Sequence, residues 1–584
     1  MSLSGSIEAE SVTVDNSKSY VFNGNGFLAG HTALVKRGSG VLAISNDNTY
    51  TGGTRISGGT VSVNMLSNST RAYGGLGGVV ESADLFVMEN GATLQTTETV
   101  TQGSPMKMEG KDGGCVENLK DFIVETPVEG TLLTKKGDGW MKLNTVCPSL
   151  ERLAINGGTV QCVACDRPAQ TVEFISGTLY ENTGSSYAIH VPEGGSGTWS
   201  LANRSTYNNK ITGEGTLTIY CAVEHGNGWF ATRTPVAVNL SLFTGTINAT
   251  ADMADSYPRF TLNTSSGMPD GTLNITAGVT VQNTGRTFRI GKLAGKGTLG
   301  GYASFANDGA TGVNTWQVGC DDDFAWAGTV TANSKFEKVG SGKMTVSGVW
   351  DNTGEVAVKE GTLCLNDRSA ENAMLGSGEL SVEDGAVLCG MGKLGNASVT
   401  VERGGRLYSG TREGASSGTL DFSGKRLTVS TGGEVLFNVA SKVRCTTLEG
   451  ISSFSLRGTL KVSVREGLEL EAGDEFQLWV ANRTALSSAC TLDLDSPGEG
   501  LEWDTSALEN GILKVKTATG ITGVVSGEPV DCVVYTLDGA RAGSFTCMPS
   551  EVGEYMERNG FRSGMYMVKM TQGQRTESRK VTVD

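Results

Sequence analysis

The sequence predicts an all-β protein whose main part is a long, right-handed parallel β-helix. Three stretches of the chain repeat one glycine-anchored pattern, in which a Gly-x-Gly and a later Gly-Thr are separated by the same 19 positions. Apolar and polar residues alternate on either side of these glycines, which is the period of a β-strand. One such unit cannot bury its apolar face alone, so the units are expected to stack as coils of a solenoid. The anchor pairs are Gly40 with Gly59, Gly139 with Gly158, and Gly342 with Gly361.

The first repeat shows how each coil is expected to fold. Leu42 and Ile44 follow the Gly-x-Gly, Ile56 precedes the Gly-Thr, and Val61 and Val63 follow it. This order reads as strand, turn, strand, turn, strand, with glycine at the turns because it adopts positive φ without steric cost. The corresponding apolar residues are Met141, Leu143, Ile155, Val160 and Cys162 in the second repeat, and Met344, Val346, Val358, Leu363 and Leu365 in the third.

The stretch Lys36 to Val63, KRGSGVLAISNDNTYTGGTRISGGTVSV, resembles the autotransporter-associated β-strand repeat. That family has a Lys-x-Gly-x-Gly-x-Leu-x-Leu strand, a Tyr-Thr-Gly-Gly-Thr turn and a Gly-Thr-Leu strand. The repeats at Lys135 to Cys162 and Lys338 to Leu365 keep the anchors but lack the complete turn. The resemblance implies an extracellular β-helix of the kind displayed on bacterial surfaces. The repeat is a scaffold signature and specifies no activity.

The chain divides into three predicted regions: a β-helix at 1–439, a β-rich cap at 440–516 and a small unit at 517–584. Repeats weaken between about 166 and 335, where side loops are expected. The cap region contains a Gly-Asp-x-Phe strand at Gly473 and a Trp-Asp-Thr-Ser segment at Trp503, which resemble the ends of many such solenoids. A cap is needed because an open last coil exposes apolar side chains and strand edges to water.

Residues 517–584 predict a small antiparallel β-sandwich. A Tyr-x-x-x-Gly turn ends at Gly539, a Gly-x-Tyr-x-x-Lys strand begins at Gly564, and a basic segment leads into the final strand. These motifs resemble the C-terminal sorting domain of type IX secretion cargo in Bacteroidetes. The resemblance implies a secreted protein of such a bacterium, associated with the cell surface or outer membrane, whose C-terminal unit contacts the secretion machinery.

Composition and the first residues of the chain exclude several partners and segments. The formal net charge of −15 leaves no basic face for phosphate, so nucleic acid is not expected as a partner. No run of 18 apolar residues is present, so no membrane-spanning segment is expected. The first residues alternate like a strand and lack the basic and apolar segments of a signal peptide, so the native N-terminus is expected upstream, where a catalytic domain could lie.

No catalytic residue or cofactor is predicted. The three histidines, His31, His190 and His225, are far apart and have no metal-ligand spacing. Cys162 and Cys165 form the only Cys-x-x-Cys, whereas a structural zinc site needs a second pair. Cys162 is expected in the core, and Cys364 is expected to face the opposite way because its register differs by one position. Cys532 and Cys547 could form a disulfide in an oxidising compartment.

Asp321, Asp322 and Asp323 form the densest acidic run and are the candidate metal ligands. Polysaccharide lyases with parallel β-helices need carboxylates that hold Ca²⁺ and a basic side chain nearby. Consecutive residues of a turn point in different directions, so a turn role in solvent is the competing interpretation.

Four aromatic residues are the candidate glycan-binding side chains, because exposed rings can stack on sugars. Trp229 and Phe230 lie in the weakly repetitive region, and Trp316 and Trp326 flank the aspartate run. Packing in the core is the alternative interpretation for the tryptophans.

Together these observations predict a secreted, non-enzymatic, adhesin-like scaffold that contacts extracellular polysaccharide or a host surface. One alternative is the ancillary β-helical part of a glycan-degrading enzyme similar to pectate lyases, and another is a glycan-binding module.

Overall fold

The computed structural model is a parallel β-solenoid of about 18 turns followed by a small separate unit. It describes residues 1–162, 164–181, 184–201, 207–221, 235–251, 259–262, 264–283, 285–301, 313–366, 374–415, 417–518, 527–573 and 575–583. The predicted all-β class and the predicted stacking of coils are confirmed.

The first repeat spans one coil and the start of the next. Leu34 pairs with Thr54 and Leu42 pairs with Val61, both in parallel, so each step to the next coil takes about 20 residues. The second repeat pairs in the same way, with Leu143 beside Cys162. The strands of the first repeat are Ala33–Arg37, Val41–Ile44, Thr54–Ile56 and Thr60–Val63; those of the second are Val128–Lys136, Trp140–Leu143 and Leu150–Cys162; those of the third are Ser334–Lys338, Lys343–Val346, Val356–Val358 and Thr362–Asn366.

The interior of the solenoid is a continuous apolar core. Leu42, Leu143 and Val346, which occupy one position in the three repeats, are each at most 1% exposed. All three belong to a single hydrophobic cluster that runs through the coils. The repeats are therefore rungs of one stack, as the spacing predicts.

The Gly-Thr glycine meets two structural requirements at once. Gly59 has a φ of 67°, and a Cβ at this position would lie 2.4 Å from the Gly40 carbonyl oxygen of the previous coil. Gly158 has a φ of 60°, and its Cβ would lie 2.5 Å from the Gly137 oxygen. Positive φ and close approach of two backbones together exclude larger residues here.

The lysine that opens each repeat is buried, a role that the sequence pattern did not predict. Lys36, Lys135 and Lys338 are all 0% exposed. The Lys135 Nζ donates to the carbonyl oxygens of Lys136, Gly137 and Gly157 at 2.8, 2.7 and 3.2 Å. Since the last acceptor lies in the following turn of the chain, the ammonium group ties two successive turns together. Burial lowers the pKa of Lys135 and of Lys338 to about 8.

Region 440–516 contains the last coils and a sheet that covers them. Parallel pairing continues past residue 439 as far as Thr491–Leu494. Beyond it, a three-stranded antiparallel sheet packs Phe476 against Trp503, with ring centroids 6.0 Å apart. Its strands are Glu475–Gln477, Ile512–Thr517 and Leu501–Asp504.

The C-terminal unit has the antiparallel strands that the sequence predicts, with a helix in place of a second sheet. The helix Val552–Arg558 places Val552 and Met556 in the same hydrophobic cluster as Val534 and Val568 of the sheet. This cluster is separate from that of the solenoid. The four strands are Val530–Thr536, Arg541–Cys547, Gly564–Gln572 and Arg575–Val583.

Among the described residues, the helices are all too short or too polar to cross a membrane.

Candidate binding surface

Two of the predicted glycan-binding tryptophans lie in the core. Trp316 is 0% exposed and packs against Phe288, and Trp326 is 2% exposed and packs against Trp350. Both residues lie close to a predicted turn, which is why their rings were candidates for exposure. The register of their strands instead points both rings into the core. Neither ring offers a face to a sugar. Trp229 and Phe230 lie outside the described residues.

The three aspartates of the acidic run are exposed, and each has a different partner. Asp321 Oδ1 accepts from the Ser341 hydroxyl at 2.7 Å, Asp322 Oδ2 pairs with Lys292 Nζ at 2.7 Å, and Asp323 Oδ1 accepts from the Lys343 backbone N–H at 2.8 Å. The carboxylates thus join neighbouring coils. Within the described residues, no group of three or more His, Cys, Asp or Glu side chains has the geometry of a metal site.

One outward-facing sheet of the solenoid has an unusual surface, which we call the polar face. Apart from Glu181, which points inward, its strands alternate an inward apolar residue with an outward polar one, and outward residues of successive coils stand in register. The outward residues are Thr159, Gln161, Thr178, Tyr180, Ser196, Thr198, Ser200, Thr216, Thr218, Tyr220, Thr246, Asn248, Thr250, Thr272 and Asn274.

The polar face carries no charge at these positions, although the whole chain has 109 acidic and basic side chains (47 plus 62). The neighbouring sheet differs, since Arg152 Nη1 pairs with Glu173 Oε2 at 3.2 Å on its outward side. Near the far end of the polar face, Asn274 Nδ2 donates to Asn248 Oδ1 at 2.8 Å, and Asn248 Nδ2 donates to Thr218 Oγ1 at 3.3 Å. These bonds fix the side-chain amides along the stack.

Aromatic rings stand at the other end of the polar face. Trp140 is 41% exposed, whereas Trp199, Trp316, Trp326, Trp350 and Trp479 are nearly or completely buried. Its ring lies 6.4 Å from that of Tyr180 between centroids. Tyr180 pairs with Ser200, which pairs with Tyr220, so the two tyrosines are two rungs apart, about 10 Å at the usual strand spacing. The rings and hydroxyls form one surface.

The sequence contains a signal for this surface that differs from the charged and aromatic clusters of the other candidate sites. Most of its strands begin with a Gly-Thr dipeptide, as at Gly177-Thr178, Gly215-Thr216 and Gly245-Thr246. These dipeptides indicate where strands begin, and the alternation of apolar and polar residues along each strand distinguishes inward from outward positions. Which outward positions share one sheet depends on the coil register.

A buried carboxyl group lies directly beneath the polar face. Glu181 is 0% exposed and occupies the interior position that Cys162 and Leu201 occupy in the adjacent coils. Its Oε2 accepts from Trp199 Nε1 at 2.7 Å and from Ser185 Oγ at 3.1 Å. Burial raises its pKa to about 7, and the hydrogen bonds offset part of this effect.

The cysteines follow the predicted register. Cys162 is 0% exposed in the main core, as predicted. Cys364 faces the opposite way, as predicted, and it is buried beside Cys389 in a small outer cluster with Tyr408. The Cys532 and Cys547 thiols are free, and their side chains interact. Disulfide formation between them stays a prediction.

Comparison with known proteins assigns the repeat to a class. Residues 34–63 match the passenger-associated transport repeat, which confirms the resemblance to autotransporter passengers at the first repeat. The chain is also similar to the adhesin BmaC autotransporter of Brucella suis biovar 1 (strain 1330), with 25% identity over 392 residues. That alignment covers 64% of this chain and 10% of the adhesin, so the chain spans about a tenth of the length of its relative.

Proposed function

We propose that this chain is a non-enzymatic, adhesin-like part of a secreted cell-surface protein and that it binds neutral polysaccharide through the polar face. The passenger repeat and the similarity to an adhesin support a location outside the cell. The observation that carries the proposal is the hydroxyl-rich sheet, uncharged at its fifteen outward positions, with Trp140 at its edge on a strand whose Lys142 pairs with Asp121.

The chemistry of the polar face fits an extended neutral sugar chain better than a protein or an acidic polymer. Sugars present hydroxyls for the Thr, Ser, Asn and Gln side chains and apolar ring faces for Trp140 and Tyr180. Lys142 and Lys292 flank the fifteen outward side chains, but Asp121 already pairs with the first at 2.6 Å and Asp322 with the second at 2.7 Å, so a charged ligand would find no free counter-charge there. A parallel stack also repeats its side chains every 4.7–4.9 Å, approximately, so successive sugar units can meet similar groups.

Retention in gels that contain neutral polysaccharides tests this proposal. Trp140→Ala should weaken retention about tenfold, since a tryptophan that stacks on a ligand commonly contributes more than 1 kcal/mol of binding free energy. Tyr180→Ala should weaken it as well. Tyr73→Ala is the matched control, because Tyr73 is also exposed, at 47%, and lies outside the polar face. Unchanged retention of the Trp140 variant, or equal losses in the Tyr73 variant, would contradict the assignment.

Salt and the second candidate site provide further checks. Binding through uncharged groups should change little between low and high ionic strength, because salt screens only charges. Trp229→Ala tests whether the region around Trp229 and Phe230 also contributes to retention.

The origin and export route belong to the same proposal. We infer from the motifs at Gly539 and Gly564 that residues 517–584 direct export by a type IX system in a Bacteroidetes-type bacterium. A reporter fused to these residues should reach the surface of a type IX-competent strain and remain in the periplasm of a secretion mutant. Equal export in both strains would reject this route.

The enzyme alternative uses the same surface differently. In a glycan-degrading enzyme, the polar face would hold substrate for a catalytic domain elsewhere in the protein. The sequence of the gene upstream of residue 1 decides between these alternatives, because a lyase or hydrolase domain there would favour the enzyme.

A further inference from the structure

A cleft on the outward side of the solenoid, near its C-terminal coils, has the chemistry of an anion site. Its volume is about 490 Å³, within the range of small-molecule sites. Arg412, from the segment that follows the strand Arg406–Ser409, lines it together with Arg465 and Glu466. Asn438 and Ser463 also line it.

The last coils place Asn438 and Ser463 side by side. They are register partners on the parallel strands Glu434–Ser441 and Thr459–Val464. Both alternate with core residues, since Phe437 and Val439 on either side of Asn438 point into the solenoid. The two polar side chains therefore face outward together, about 4.8 Å apart at the usual strand spacing.

Asn438 has an unused hydrogen-bond donor. Its backbone N–H donates to Thr446 Oγ1 at 2.9 Å, and its carbonyl accepts from the Thr446 N–H at 3.0 Å. The side chain is 5% exposed, and its Nδ2 is buried and has no partner among the described residues. A buried donor without an acceptor destabilises a protein, and a ligand in the cleft reaches this one only if the Asn438 side chain turns toward it.

The two arginines are also available for a ligand. Neither the Arg412 nor the Arg465 side chain makes a hydrogen bond or ion pair with another described residue. By contrast, Arg406 is paired with Glu413 at 3.0 Å and with Glu434 at 2.9 Å.

We propose that this cleft binds a carboxylate-bearing sugar, namely a uronate unit. A guanidinium group binds a carboxylate through two parallel hydrogen bonds, and two of them also supply charge complementarity. The Asn438 amide and the Ser463 hydroxyl suit the hydroxyls of the sugar ring. Glu466 can accept a hydrogen bond from a sugar hydroxyl, and it repels phosphate, which carries more charge, more strongly than it repels a uronate.

This site goes beyond the proposed function, because the polar face is uncharged and contains none of the cleft residues. Loss of neutral-polysaccharide retention in the Trp140 variant therefore leaves uronate binding intact. Loss of uronate binding in a cleft variant leaves neutral retention intact.

Isothermal titration of the full chain with glucuronate and galacturonate tests the proposal. Saturable binding is expected for at least one uronate, and Arg412→Gln and Arg465→Gln should each weaken it about 10- to 100-fold, the usual effect of one charge-assisted hydrogen bond. Arg444→Gln is the matched control, because Arg444 is exposed and lies outside the cleft. Asn438→Asp should abolish binding through repulsion.

The outcomes separate the ligand classes. Binding of monomeric uronate and of oligouronate both support the site, and tighter binding of the oligomer assigns it to an acidic polysaccharide. No saturable heat with any uronate, equal affinity for galactose or inorganic phosphate, or unchanged affinity in both arginine variants would overturn it. Thermal unfolding midpoints within error of the native chain verify that the variants are folded.

Discussion

Raising the pH should destabilise the coil that contains Glu181, and Glu181→Gln should remove this effect. The carboxyl group is fully buried, and its pKa is raised from 4.5 to about 7. The other titratable groups that face it are the thiols of Cys162 and Cys165 and the phenol of Tyr187. The polar interaction with the Tyr187 hydroxyl lowers the pKa of Glu181, but the two side chains do not form a hydrogen bond of normal geometry.

The sign of the effect follows from proton binding. Between pH 4.5 and about 7, the unfolded chain loses the Glu181 proton and the folded chain keeps it. Stability is therefore fully present below pH 4.5 and falls as the pH rises through about 7. The shift of about 2.5 pH units corresponds to about 3 kcal/mol at 1.36 kcal/mol per unit.

Hydrogen exchange of peptides from 171–181 and 196–201, corrected for the intrinsic pH dependence, measures the stability of this coil. The native chain should lose about 3 kcal/mol of local opening free energy between pH 4 and pH 9 relative to Glu181→Gln. Glu173→Gln is the control, because Glu173 lies on the same strand but faces outward. The reasoning is refuted if the native chain and the Glu181 variant show the same change with pH.

Two further predictions concern the repeat motif. Lys135→Met should lower the free energy of unfolding by about 1–3 kcal/mol, because three carbonyl oxygens lose their donor. Lys136→Met, at the exposed neighbour, should have little effect, and equal unfolding midpoints in urea for both variants would contradict the role of the buried ammonium. Gly59→Ala should lower the free energy of unfolding more than Gly5→Ala in the same assay. The two glycines have nearly equal φ values, 67° and 68°, but only Gly59 lies close to another backbone. If both variants lose the same free energy of unfolding, about 1–3 kcal/mol or less, the close approach of two backbones is not the reason why position 59 is glycine.

Much of the fold was predictable because each repeat carries the signals for its own strands and turns within a short stretch of sequence. Leu42, Leu143 and Val346 recur at one offset from a glycine, and a period of two assigns each to the inward side of a strand. The same reasoning placed Cys162 inside and Cys364 outside. The helix of the C-terminal unit was missed because Val552–Arg558 is short and lies among strand signals.

The candidate sites were less predictable for a physical reason. Trp316 and Trp326 stood out in the sequence as large aromatic residues near a turn, but the register buries them. Trp140 belongs to the predicted strand of the second repeat, and its partial exposure depends on Tyr180, which lies 40 positions further along the chain.

The sequence by itself determined the coil, its apolar interior and its turns, because glycine spacing and strand alternation act within about 30 residues. Only the tertiary structure decided which outward side chains share a surface. Parallel stacking brings Thr159, Thr178 and Thr198 together although about 20 residues separate each from the next. It also places Arg412 and Arg465 on one cleft, since neighbours across a solenoid are set by the register between coils, and local sequence does not encode that register.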